Sequence, residues 1–154
     1  MNLVVVSNRV ARANANEPMT GGLAAALLPV VEKSGAIWVG SSGRVRDGHQ
    51  KEPFAEVEAL GAGALAMLDL PAAHYGGYYE GFANSALWPA LHSRSDLIRV
   101  TQGDYVSYRE VNALVASWAN FCGSMPIGNT AARVLPWREA TMPSRTTSPR
   151  SDST

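Results

Sequence analysis

The segment Leu3-Val4-Val5-Val6-Ser7-Asn8-Arg9, followed by Thr20-Gly21-Gly22-Leu23, most constrains what this chain can fold into. A continuous, mostly β-branched run predicts a strand covered on both faces, as in a parallel sheet. That strand runs into an arginine, and after a polar loop a glycine pair opens a helix. This order suits a site for phosphorylated ligands at the carboxyl edge of an α/β sheet, where the ligands of such sheets bind.

The pattern continues in kind. Leu23, Leu27, Val30 and Val31 sit at helical spacing with Gly35 beyond, so the spacing predicts a helix over 23–33, kinked or shifted by Pro29. Ala36-Ile37-Trp38-Val39 reads as a second strand ending at Gly40-Ser41-Ser42-Gly43, which completes a βαβ unit. Residues 44–52 are charged and turn-like. Phe54 to Glu58 alternates as a half-exposed strand does, and Ala64 to Leu68 is another apolar run. Asp69-Leu70-Pro71 predicts a helix start. The aromatic segment 78–92 predicts two short helices broken near Asn84-Ser85 or Pro89. Apolar residues at 108, 111, 114 and 115 predict an amphipathic helix over 105–116.

From Ser117 this grammar changes. Gly123, Pro126, Gly128, Pro136, Pro143 and Pro149 recur too often for helices, and 141–154 is rich in Ser, Thr, Pro and Arg. The sequence therefore predicts a domain over 1–116 and a divergent tail over 117–154, poorly structured at first and disordered from 141. The fold class expected is α/β: a parallel sheet with flanking helices, incomplete, ending in a disordered tail.

Composition excludes several function classes. Thirteen basic and thirteen acidic residues balance, so no global field draws the chain to nucleic acid or an anionic membrane. The single cysteine, Cys122, allows no internal disulfide and reads as a small buried hydrophobe. No segment reaches the ~18 apolar residues of a membrane span, and the amino terminus lacks a secretory pattern, so a cytoplasmic location is expected. His49 and His74 lack metal-ligand spacing, and His92, after the Trp88-Pro89 turn, reads as a structural histidine.

Arg9 is the first candidate site residue, because its guanidinium fork matches phosphate oxygens; the competing reading is a surface arginine closing a loop. Gly21 and Gly22 let backbone approach a ligand and expose N–H groups at a helix start, although glycine pairs also simply make turns. They form neither a dinucleotide fingerprint nor a P-loop. Tyr78, Tyr79, Phe82 and Trp88, with Trp38 upstream, suit either a sugar face or a core. Glu56 and Glu58, two apart on one strand face, read as a solvated face rather than a glycosidase pair.

Taken in order, LVVVSNR, TGGLAAAL, IWVGSSG, YYEGFANSALWPALHSR and YREVNALVA resemble trehalose-6-phosphate synthase over residues 2–116. The resemblance implies a retaining glycosyltransferase of the two-Rossmann GT-B type, here its N-terminal part. It implies transfer of glucose from UDP-glucose to glucose 6-phosphate, with no metal, no cofactor and no covalent sugar–enzyme intermediate. It implies that Arg9 binds the acceptor phosphate, with Tyr79 and Trp88 in the acceptor pocket, and that Gly21 and Gly22 contact the donor. Trp38 and the 40–43 loop would support them.

The resemblance stops after VNALVA. The family's W-[VI]-H-D-Y-H segment, whose aspartate engages the acceptor, has no counterpart in 117–154, and no catalytic residue can be assigned. The second Rossmann domain, which holds the donor diphosphate, is also unmatched. Such an abrupt change is what a reading-frame shift would leave. The chain alone is therefore expected to be inactive. The alternative is a non-catalytic sugar-phosphate-binding or subunit-interaction module, forming a homo-oligomer or pairing with a full-length synthase. An unrelated small α/β phosphate-binding protein is the remaining reading.

Overall fold

The structure is a computed structural model that describes residues 3–11, 22–47 and 55–124. A four-stranded sheet, ordered β1-β2-β4-β3, forms its centre. The strands are β1 (Val4–Arg9), β2 (Ile37–Arg46), β3 (Ala55–Leu60) and β4 (Gly63–Pro71). β2 pairs in parallel with both β1 and β4, while β3 returns antiparallel against β4. The sheet is thus mixed, with one antiparallel edge strand on a parallel core.

Helices cover both faces. α1 (Gly22–Ser34) packs on one face with Trp38, Leu65 and Met67. On the other face, α2 (Ala72–Tyr75), a π-helical segment (Gly76–Leu87), α3 (Trp88–Leu91) and α4 (Gln102–Ser124) cover Ile37, Val39, Ala66, Leu68 and Leu70. A short 3₁₀ turn, Ser95–Leu97, precedes α4. Alternation explains the two layers, because successive side chains of a strand point to opposite faces. The run 64–70 is buried throughout, so β4 is the centre of the molecule. Each large apolar side chain enclosed there contributes about 1.5–3 kcal/mol.

Several expectations are corrected. β1 is at the sheet edge among the described residues, and Val6 is 53% exposed rather than covered. The 40–43 segment is not a loop after β2 but lies within it, as a bulge between Ser41 and Val45. Asp69 and Leu70 belong to β4 instead of opening a helix, and the helix starts at Ala72 because Pro71 keeps an extended backbone. Helical structure runs from Ala72 to Leu91 without a break at Asn84-Ser85 or Pro89. Pro29 interrupts nothing, since α1 continues through it.

α4 also passes the expected boundary at 116. Trp118 and Cys122 are buried in the core, and packing carries the helix to Ser124 where local composition argued against it. The indole Nε1 of Trp118 is buried without a hydrogen-bond partner among the described residues. The disordered tail expected over 141–154 lies outside the described residues.

Candidate functional site

The carboxyl ends of β1, β2 and β4 bring the polar groups together. Among the described residues, the buried polar side chains are Ser41 and Asp69, both at this end of the sheet. Ser42 Oγ donates to Asp69 Oδ1 at 2.5 Å, and Arg44 Nε donates to the same oxygen at 3.0 Å. Arg46 Nε donates to Oδ2, and Arg44 reaches Glu56 at 3.3 Å. Burial alone would push the Asp69 carboxyl up, but the hydrogen bonds from Ser42, Arg44 and Arg46 outweigh it and hold it below the ordinary carboxylate range. The Arg44 guanidinium is raised by its bond to Asp69. This cluster ties β2 to β4 and is structural.

Arg9 ends β1 beside it. Its guanidinium lies against Gly43 of β2, with Nε, Cζ and Nη2 2.7–2.8 Å from where a Cβ on Gly43 would stand. Among the described residues the Arg9 side chain makes no hydrogen bond or ion pair. The backbone below it is braced: Trp38 Nε1 donates to Ser7 Oγ at 2.8 Å, and Ser7 Oγ donates to the Arg9 carbonyl at 2.9 Å.

A groove of about 420 Å³ opens next to this strand end, between β1, the π-helical segment, α3 and α4. Tyr79 and Trp88 wall it, and Ser7, Asn8, Asn84 and Asn112 supply polar atoms. Trp88 is 52% exposed and Tyr79 38%, so both present ring surface to the groove. Tyr78 also lines the groove but lies deeper: it is 8% exposed, its hydroxyl donates to Asn8 Oδ1 at 2.5 Å, and burial together with Tyr108 and Tyr79 pushes its phenol up. The aromatic cluster therefore divides. Tyr78 and Phe82 pack on Tyr108 of α4, while Tyr79 and Trp88 face outward.

The aromatic residues Tyr78, Tyr79 and Phe82 lie on the π-helical segment. Its wider turn shifts successive side chains relative to an α-helix, and it rests closely on α4. A Cβ on Gly81 would stand 2.6 Å from Asp104 Cγ. His92 is structural, as the sequence suggests: its ring stacks on Trp88 at 4.0 Å and its Nδ1 lies 2.8 Å from the Trp88 carbonyl oxygen. Cys122 is fully buried and its thiol is pushed up to about 12 by desolvation, which leaves it inert. No group of three or more metal-ligating side chains occurs among the described residues. No helix there is long and apolar enough to cross a membrane.

The structure thus places Arg9, Tyr79 and Trp88 around one end of β1, although Arg9 itself turns to β2 and does not line the groove. Gly22 begins α1 with open space where its Cβ would be, and Gly21 lies outside the described residues. Asn84 and Asn112 are groove residues the sequence reading missed. The local composition at Asn84 predicts a helix break, and Asn112 carries no signal beyond the polar face of a helix.

No protein-family model matches the chain. It is 38% identical over 114 residues to a trehalose-6-phosphate synthase of Enterobacter sp. (strain 638), covering 74% of this chain and 23% of that protein. Among solved structures, an α,α-trehalose-phosphate synthase (UDP-forming) from Burkholderia vietnamiensis matches with TM-score 0.66 and 37% identity, over 78% of this chain and 26% of that one. The synthase of Burkholderia xenovorans, solved in complex with glucose 6-phosphate, matches with TM-score 0.65 and 38% identity over 77% and 26%. This chain therefore spans about a quarter of the length of the relatives it matches.

Proposed function

We propose that this chain, similar in sequence and fold to one quarter of a trehalose-6-phosphate synthase, is the acceptor-side portion of such a retaining glycosyltransferase. On this reading residues 1–116 form the acceptor-side unit. The groove takes the glucose ring of glucose 6-phosphate, with Tyr79 and Trp88 against its apolar face. Arg9, at the strand end beside it, binds the phosphate through its planar fork. Gly21 and Gly22, where α1 begins, meet UDP-glucose from the acceptor side.

The single observation that carries this reading is the guanidinium of Arg9, without an acidic partner among the described residues, next to an aromatic groove. A guanidinium at the carboxyl edge of a parallel sheet, with no acidic partner among the described residues, is positioned for an anion. Transfer needs more. Charge developing on the leaving diphosphate requires preorganised donors across the cleft, and losing even one such donor costs about 10²–10³ in rate. The trehalose-phosphate synthases it resembles are chains of which this one spans 23–26%. Binding without turnover is the expected behaviour of the chain alone.

Calorimetric titration tests this. The chain should bind glucose 6-phosphate more tightly than glucose, and Arg9→Ala should abolish that preference. Equal binding of the two sugars, or unchanged affinity in Arg9→Ala, would remove the assigned role. Release of UDP from UDP-glucose and glucose 6-phosphate by the purified chain would overturn the expectation of inactivity.

A further inference from the structure

We infer that Gly43 is a positioning residue for the acceptor phosphate: its missing side chain is the slot that holds the Arg9 guanidinium at the sheet edge. This rests on the reading of Arg9 given above and deepens it.

Three observations carry the inference. A Cβ on Gly43 would overlap three atoms of the Arg9 head group at 2.7–2.8 Å, closer than non-bonded atoms approach. The slot is rigid, because Gly43 sits at φ +82° inside the β2 bulge. Its N–H donates to the buried Ser41 Oγ at 3.0 Å, and the next N–H, of Arg44, donates to Ser42 Oγ at 3.0 Å. Ser42 is in turn bonded to the buried Asp69 carboxylate. The bulge therefore cannot retreat without breaking the cluster that ties β2 to β4. Finally, the Arg9 side chain has no bond among the described residues that would orient it by other means. Among the described residues shape directs the head group, and the Trp38–Ser7–Arg9 hydrogen bonds fix the backbone from which it projects.

A Cβ at this position would displace the guanidinium from the slot. The phosphate would then lose a charge-assisted fork while the groove for the sugar ring stayed intact. Loss should therefore fall on the phosphate-dependent part of affinity and leave binding of glucose unchanged.

The test compares Gly43→Ala with the parent in two backgrounds, native Arg9 and Arg9→Ala, using glucose 6-phosphate and glucose as probes. Gly43→Ala should weaken glucose 6-phosphate binding about tenfold or more, the worth of one hydrogen bond to a charged group. It should add no loss once Arg9 is alanine. The Arg9 Nε–H resonance, assigned by its disappearance in Arg9→Ala, should shift in Gly43→Ala even without ligand. An unmoved resonance, or equal loss in both backgrounds, overturns the proposal. Because φ +82° strains most side chains, Gly43→Asn, which tolerates a left-handed backbone and carries the same Cβ, is the second variant; it should show the same Arg9-dependent loss, and a loss that persists in the Arg9→Ala background overturns the proposal. If Arg9→Ala binds glucose 6-phosphate as the parent does, the acceptor reading fails while the resonance experiment still decides the Gly43 contact.

Discussion

The indole of Trp38 donates to Ser7 Oγ at 2.8 Å across the β1–β2 interface, and the Ser7 hydroxyl donates in turn to the Arg9 carbonyl oxygen. A buried core residue is thereby linked in two hydrogen bonds to the residue that ends β1. Ser7→Ala should leave the indole N–H unpaired at a cost of about 1–3 kcal/mol. Trp38→Phe should cost a similar amount through the lost bond and the lost volume. A double-mutant cycle in urea should give a coupling of at least about 0.5 kcal/mol; strict additivity would show that the bond contributes nothing.

Asp69 carries the only carboxylate that the described core encloses, and two arginines and a serine answer it. Asp69→Asn should destabilise the fold by about 3 kcal/mol, the lower end for breaking a buried pair. Most of that belongs to Arg46, which is largely enclosed, because the half-exposed Arg44 is screened by solvent.

The same carboxylate sets an acid limit. Its folded-state pKa lies below the ordinary value of 3.8, so its contribution is complete above that value and is lost as pH falls through the folded one. Stability of the parent should decline as the pH drops below about 4, and the decline should be shallower in Asp69→Asn. Identical slopes would exclude Asp69 as the group responsible.

Tyr78 separates the groove from the core. Tyr78→Phe removes its bond to Asn8 and should cost about 1 kcal/mol in denaturant unfolding. In an alkaline absorbance titration of the folded chain it should ionise above the ordinary tyrosine value of 10. A stability unchanged by the substitution would mean that the hydroxyl is equally well satisfied by water.

Cys122 should resist thiol reagents in the native state at pH 8, because it is fully buried and its thiol stays protonated up to about 12. Labelling should rise only with global unfolding. Rapid labelling of the folded chain would show that the end of α4 opens locally.

Much of this was legible from local pattern. The β-branched run at 3–6, the helical spacing after Gly22, the alternation at 55–58 and the apolar run at 64–68 each became the expected kind of element. The candidate residues Arg9, Tyr79 and Trp88 were legible as side chains with suitable chemistry in ordered motifs, and their recruitment to one strand end is a matter of placement. Local composition misled where distant packing took over. Glycines and serines at 40–43 looked like a turn, yet pairing with β4 and the bond to Asp69 hold them in a strand. Asn84-Ser85 looked like a break, yet the aromatic contacts with α4 carry a π-helix through it. Residues 117–124 looked irregular, yet burial of Trp118 and Cys122 extends α4 over them.

The amino-acid order by itself determined which segments are apolar on one face, on both or on neither, since that depends on neighbours a few positions away. Tertiary structure alone decided which polar groups meet: Ser7 with Trp38 across 31 positions, Asp69 with Arg44 across 25, Tyr78 with Asn8 across 70, and Arg9 with the slot at Gly43. Those pairings follow from strand order, register and one left-handed backbone angle, which no local run of residues encodes.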